Sequence, residues 1–167
     1  MARLLLPLSL LSLLSVGAIF GFFYAWVCST MWGLDQADPQ VAIAAMQAMN
    51  ASVRNAVFAP AFFGTPVVLW VTATVAARAG AGRAGVWFAL AGAVYLVGGL
   101  SLTMRFNVPM NEALAQIVLP LTDDAAARIW AEYSPTWQFW NQVRTVASGG
   151  ALCLAGLGLM AVPRRGA

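Results

Sequence analysis

The chain has 167 residues, 61% of them hydrophobic and 9% charged, with a formal net charge of +3. Soluble domains carry about 25% charged residues, so this composition excludes an ordinary soluble fold. There is no histidine, which removes His-ligated haem, His-based zinc or iron sites and any Ser-His-Asp triad.

Four uncharged runs organise the chain: Leu4 to Leu34, Asn55 to Ala77, Ala84 to Met104 and Thr145 to Pro163. Each approaches or exceeds the roughly 18–20 apolar residues that cross a bilayer core of about 30 Å. Backbone polar groups in hydrocarbon must be satisfied within their own segment, so the runs are predicted to be helices. The expectation is a single all-α domain, an integral membrane four-helix bundle. Its spans fall near residues 5–28, 56–78, 84–104 and 141–162, and its two long outer loops are partly helical.

The first run follows Arg3 and continues through Phe20, Phe22, Phe23, Tyr24 and Trp26 without a small-x-small cleavage pattern. A signal h-region is only about 7–15 residues long, so this run reads as a retained first span. Asp38-Pro39 then reads as an N-cap followed by proline at the first helical position. A helix opening there is expected to run through Met46, Met49 and Val53 into the second span. The connection around Gly80-Ala81-Gly82-Arg83 reads as a short hairpin into the third span.

Asn107-Val108-Pro109-Met110-Asn111 follows. A residue before proline avoids the α region, so the third helix is expected to end by about Asn107 and a new element to fold back over the bundle. Thr122-Asp123-Asp124 opens a short helix with two carboxylates at its positive dipole end. Ser134-Pro135 gives a further start signal for the fourth span. Met49-Asn50 with Arg54 and Trp140-Asn141 with Arg144 echo one another at the openings of the second and fourth spans.

Arg3, Arg78, Arg83, Arg164 and Arg165 fall on one side of this pattern, and all six carboxylates on the other. The positive-inside rule then predicts both termini in the cytoplasm. The complete absence of lysine suggests GC-rich codon usage and a bacterial inner membrane. No basic cluster is longer than Arg164-Arg165, so no phosphate-tracking surface exists and no nucleic-acid partner is expected. Cys28 and Cys153 lie at different depths and read as two unpaired small apolar residues.

The residues that a membrane span avoids collect near one level, the outer interface. Asn50, Arg54 and Asn55 enter the second span; Arg105, Asn107 and Asn111 leave the third; Asn141 and Arg144 enter the fourth. Ionisable groups in membranes pair with one another or face a cavity, so convergence from three helices predicts a polar pocket. Interfacial snorkelling and an aromatic belt including Trp26, Trp32, Trp130, Trp137 and Trp140 are the bland alternatives. Trp137, Asn141, Arg144 and Ser148 share one helical stripe. Aromatic above and cationic below, it suits an aromatic anion. No metal or cofactor is expected.

The segments Met49-Asn50, Arg54-Asn55, Phe58, Phe62-Phe63-Gly64-Thr65-Pro66, Asn107-Val108-Pro109-Met110-Asn111, Trp137, Trp140-Asn141 and Val143-Arg144 resemble the anthrone oxygenase-like family of small four-span membrane proteins. The resemblance implies cofactor-independent oxygenation of anthrones to anthraquinones. Such a reaction needs a base, oxyanion donors and stacking surfaces, and the expected base is Glu112 or Glu132, with Glu112 preferred. Arg54, Arg105 and Arg144 with Asn107 and Asn141 would hold the oxyanion; Asn50, Asn55 and Asn111 would contact substrate, and Trp137 and Trp140 would stack on it. Arg105 is expected within reach of Glu112. The other reading is a non-catalytic membrane protein binding a lipid, a quinone or a partner protein.

Overall fold

The computed structural model describes residues 2–163, so Arg164 and Arg165 lie outside the described residues. The protein is an all-α, integral membrane four-helix bundle; no strand occurs among the described residues. Four helices are long and apolar enough to cross a membrane: α1 (Arg3–Asp35), α3 (Phe58–Arg78), α4 (Gly82–Ala115) and α5 (Asp123–Met160). A fifth helix, α2 (Pro39–Ser52), lies between α1 and α3. The spans alternate in direction, and each packs on two neighbours: α1 and α4 both contact α3 and α5.

Helices in lipid have no hydrophobic drive toward one another, so close packing must hold them. Small residues provide it at the end where Arg78 and Arg83 lie. A Cβ added to Gly85 of α4 would stand 2.9 Å from the Ala73 carbonyl oxygen and 3.3 Å from the Ala77 nitrogen of α3. Only glycine allows that approach. Ser12 and Thr72 add a buried hydrogen bond of 2.9 Å between α1 and α3. Phe88, Leu69, Ala76, Ala84, Ala151 and Ala155 fill the core around them.

A separate hydrophobic cap covers the other end. Met31, Ile43 and Met46 are fully buried there with Leu114, Ala126, Trp130 and Trp137. Each such side chain contributes about 1.5–3 kcal/mol where the alternative is water. Helix α2 starts as expected: the Asp38 carboxylate accepts from the Gln40 and Val41 backbone N–H groups at 2.8 and 3.3 Å. Gln47 donates to the carbonyls of Leu114 and Ile117 at 2.8 and 2.9 Å, satisfying orphan groups at the end of α4. Gln40 accepts from the Leu121 N–H, tying α2 to the approach to α5.

Three expectations are corrected. Helix α2 does not run on into the second span. It stops at Ser52, and Asn55 caps both sides of the break: its Nδ2 donates to the Ser52 carbonyl, and its Oδ1 accepts from the N–H groups of Val57 and Phe58. Helix α4 does not end at Asn107. It passes through π-helical turns at Tyr95–Ser101 and Thr103–Asn107, then continues as α-helix over Val108–Ala115. The Val108 N–H reaches back to Thr103, so the wide turn is already complete when the chain meets Pro109 and its missing donor. The element that covers the bundle is therefore α2, not the segment after Asn107.

Ser134-Pro135 starts no helix either. Pro135 sits inside the 38-residue α5, which begins at Asp123, so the Asp123-Asp124 signal opens this long helix and not the short one expected. Asp35, at the end of α1, holds this stretch by accepting from Trp130 Nε1 at 3.0 Å, Ser134 Oγ at 2.6 Å and Gln138 Nε2 at 2.8 Å. Both cysteines are free, as their depths implied, but both are exposed and not buried as two small apolar residues were expected to be.

Candidate functional site

A cavity of about 580 Å³ opens between the spans at the end away from Arg78 and Arg83, beneath the end of α2. Small-molecule sites occupy roughly 300–1,000 Å³, so its size suits an organic ligand. Phe22, Phe23 and Trp26 line it from α1, Phe58, Phe62 and Phe63 from α3, and Trp137 from α5. Seven aromatic side chains thus contribute to the wall. Two π-helical turns border it: Trp26–Thr30 in α1 and Thr103–Asn107 in α4. Such turns widen a helix locally, and here they place Trp26 and Thr103 on the wall.

Arg144 is the polar centre. The residue is only 4% exposed, although it carries a guanidinium. Its Nε and Nη2 both donate to Asn141 Oδ1, at 3.0 and 2.8 Å, and its Nη1 donates to Thr103 Oγ1 at 3.3 Å. The guanidinium carbon lies 4.2 Å from the Phe23 ring centre and 5.1 Å from that of Trp137. Cation–π contacts of this kind contribute about 0.5–2 kcal/mol each. The one ion pair among the described residues is Arg54–Glu112, so no carboxylate neutralises Arg144. A buried cation without a counter-ion costs several kcal/mol, which makes Arg144 the candidate centre of the site.

The helical stripe read in the sequence is realised here. Trp137, Asn141, Arg144 and Ser148 are all buried along one face of α5. Asn141 stands behind the cation and ties it to α1 through a 3.2 Å hydrogen bond from Nδ2 to the Phe23 carbonyl. Ser148 and Thr145 return their hydroxyls to the carbonyls of Arg144 and Asn141. Both hydroxyls are thereby satisfied within the helix.

A second polar group has its polarity set by chemistry. Asn111 Oδ1 accepts from Trp137 Nε1 and from the Tyr133 hydroxyl, both at 2.8 Å. An indole nitrogen can only donate, so the Asn111 atom facing it must be oxygen. Asn111 Nδ2 therefore donates to Asn50 Oδ1 at 3.0 Å, leaving the Asn50 amide nitrogen as the end of the chain. That nitrogen is buried and without a hydrogen-bond acceptor, and Asn50 lines the cavity.

At the mouth, Arg54 Nη2 meets Glu112 Oε1 at 3.3 Å, with side chains 60% and 58% exposed. The carboxylate partner expected for Arg105 is thus taken by Arg54. Arg105 is exposed and lies over the Phe106 ring at 5.4 Å. Trp140 also faces away from the cavity, stacked on Phe106 with ring centres 3.7 Å apart and 7° between planes. Glu132 is an exposed residue of α5.

Seven of the residues singled out in the sequence line the cavity: Asn50, Arg54, Asn55, Asn111, Glu112, Trp137 and Arg144. Asn141 supports it from behind, and Asn107 is buried with its Nδ2 on the Trp137 carbonyl. The side-chain amide of Asn55 is occupied by helix capping. Sequence reasoning missed Phe22, Phe23, Phe62 and Thr103. Within uninterrupted apolar runs nothing distinguishes them from lipid-facing residues. Among the described residues, no cluster of acidic, cysteine or histidine side chains is able to hold a metal.

The family model for anthrone oxygenase matches residues 53–154, which takes in α3, α4 and most of α5. No curated protein and no solved structure matches the chain.

Proposed function

This chain belongs to the anthrone oxygenase family, and we propose that its outer cavity oxygenates a flat, apolar hydroxy-ketone of the anthrone type without a cofactor. The observation that carries the reading is Arg144, a buried guanidinium on the cavity wall with aromatic rings on two sides and no carboxylate partner. A neutral lipid gains nothing from such a group. A ligand that becomes an oxyanion gains a charge-assisted hydrogen bond in a site of low dielectric.

In this reading the rings of Phe23 and Trp137 stack on the tricycle, and Arg144 faces its carbonyl oxygen. Glu112 removes a proton from the methylene carbon opposite that carbonyl, and the electron pair moves onto the carbonyl oxygen as an enolate. Dioxygen takes the electrons at the same carbon and a C–O bond forms, giving a hydroperoxide once a proton returns. Loss of water, with cleavage of the O–O bond, leaves the second ketone. The sum is CH₂ plus O₂ to C=O plus H₂O, so no external reductant is needed. The chain contributes a base at the mouth, a buried oxyanion partner and aromatic walls.

The test uses the full chain in lipid nanodiscs with a hydroxylated anthrone, following oxygen uptake and anthraquinone absorbance above the spontaneous rate. The wild type is expected to consume one O₂ per ketone formed. Glu112→Gln is expected to lose turnover by about 10²-fold or more, the usual contribution of a general base, while still binding a hydroxyanthraquinone. Glu132→Gln keeps its activity. An unchanged rate in Glu112→Gln removes Glu112 as the base. A wild type that binds such ligands but never consumes oxygen leaves the non-catalytic binding reading in its place.

A further inference from the structure

We infer that the ligand reaches the cavity sideways from the bilayer, through a portal between α3 and α4 whose side chains Phe63 and Met104 act as the gate. The inference rests on the substrate reading above and adds its route and its selecting residues.

The two helices close on each other only over their inner halves. There Gly85 meets the α3 backbone, and Trp70 Nε1 donates to the Ala89 carbonyl at 3.3 Å. Moving outward, the last hydrogen bond between them among the described residues runs from the Tyr95 hydroxyl to the Phe62 carbonyl at 2.9 Å. Beyond Tyr95–Ser101 the α4 backbone no longer approaches α3 closely. What fills the gap is side chains, Phe62 and Phe63 from one helix and Thr103 and Met104 from the other, and all four line the cavity. Phe63 is 51% exposed and Met104 is 44% exposed, so the two reach from the cavity wall to the outer surface of the bundle.

The other sides are less suited to an apolar tricycle. Between α1 and α3, the rings of Phe22 and Phe58 touch with centres 4.9 Å apart, separating the cavity from a shallower cleft of about 420 Å³. Toward water, the Arg54–Glu112 pair and the capping amide of Asn55 form the mouth. A flat aromatic ketone concentrates in the bilayer, and a path that never crosses this charged rim keeps it there until it binds. Met104 is an unbranched, flexible side chain able to swing out of the gap at little cost. Phe63 is flat and presents an edge or a face to a passing ring. Together they select for planar ligands by thickness.

A gate changes how fast a ligand comes and goes without changing how tightly it is held, whereas a residue of the binding site changes the affinity. The experiment measures association and dissociation of an air-stable hydroxyanthraquinone between preloaded phosphatidylcholine vesicles and the full chain in vesicles. Quenching of Trp26 and Trp137, which line the cavity, reports occupancy. In Phe63→Trp and Met104→Trp both rates are expected to fall together by about tenfold, with Kd within twofold of wild type. Met104→Ala widens the gap and is expected to raise both rates, a change of opposite sign that no folding defect imitates. Val146→Trp, on an exposed α5 position away from the cavity, keeps wild-type rates. Unchanged rates in all three gate variants overturn the portal in favour of the water-side mouth. A change in Kd carried by the off-rate alone makes Phe63 and Met104 part of the binding site instead. Binding without turnover overturns the oxygenase but leaves the portal standing. A wild type that takes up no hydroxyanthraquinone overturns both.

Discussion

On the Arg78 side of Tyr95, the bundle is closed, with α3 and α4 meeting backbone to backbone at Gly85; on the other side the spans stand apart around a cavity. The same helices build both regions, and the difference lies in residue volume and backbone pitch. The inner half carries glycine and alanine where helices cross, as at Gly85 against Ala73 and at the buried Ala76, Ala84 and Ala151. The outer half carries Phe22, Phe23, Phe58, Phe62 and Trp137, and two π-helical turns that shift the register of α1 and α4. Bulky rings hold the helices apart, and their own faces become the wall. Close packing and the cavity thereby lie at opposite ends of one bundle.

That division is broken most strongly by forcing bulk into the tight end. Gly85→Leu places a branched side chain against the α3 backbone, which cannot yield as a side chain would. The expected loss is at least about 1–3 kcal/mol, read as a lower melting temperature in detergent. Gly150, a glycine of α5 with open space around its Cβ position, gives the contrast. Gly150→Ala is expected to stabilise by about 0.5–1 kcal/mol through helix propensity. Equal destabilisation by both would mean that close packing is not what holds the inner half.

A smaller effect is expected at the open end. Asn111→Leu keeps approximate volume but strands the Tyr133 hydroxyl and the Trp137 indole N–H, and removes the donor that orients Asn50. Each orphaned group costs about 1–3 kcal/mol if nothing replaces the bond. Because these groups border a cavity that water is able to enter, the expected melting shift stays below that of Gly85→Leu, while affinity for a hydroxyanthraquinone falls about tenfold. Wild-type affinity in Asn111→Leu, measured by tryptophan quenching, would separate this hydrogen-bonded chain from the site.

The bundle was legible because apolar length and the avoidance of charge are properties of whole segments. The α5 stripe was legible for a similar reason: Trp137, Asn141 and Arg144 recur at helical spacing, and a membrane makes their polarity conspicuous. The continuity of α4 and α5 was not. Pro109 and Pro135 are local signals of interruption, but a preceding π turn absorbs the first and the Asp35 hydrogen bonds hold the region of the second. Neither compensation is visible in the dipeptide itself. Nor was the division of labour between Arg54 and Arg105, which depends on the α2–α3 break that Asn55 caps on both sides. Arg54 faces Glu112 because the chain turns there, and Arg105 is left on the outside of a continuous helix.

The central claim is that Arg144 waits, without a counter-ion, for an oxyanion inside the cavity. The most direct measurement is the absorbance spectrum of a hydroxyanthraquinone bound to the protein, followed as a function of pH, because its phenolate absorbs to the red of the neutral phenol. Bound to the wild type, the ligand is expected to ionise at least about one pH unit below its value in protein-free nanodiscs, equivalent to about 1.4 kcal/mol of preference for the anion. Arg144→Met fills the same space without charge. It is expected to fold, because relief of the unpaired buried cation offsets the bonds lost at Asn141, and to lose that shift. An identical shift in wild type and Arg144→Met, with the ligand bound in both, would contradict the account.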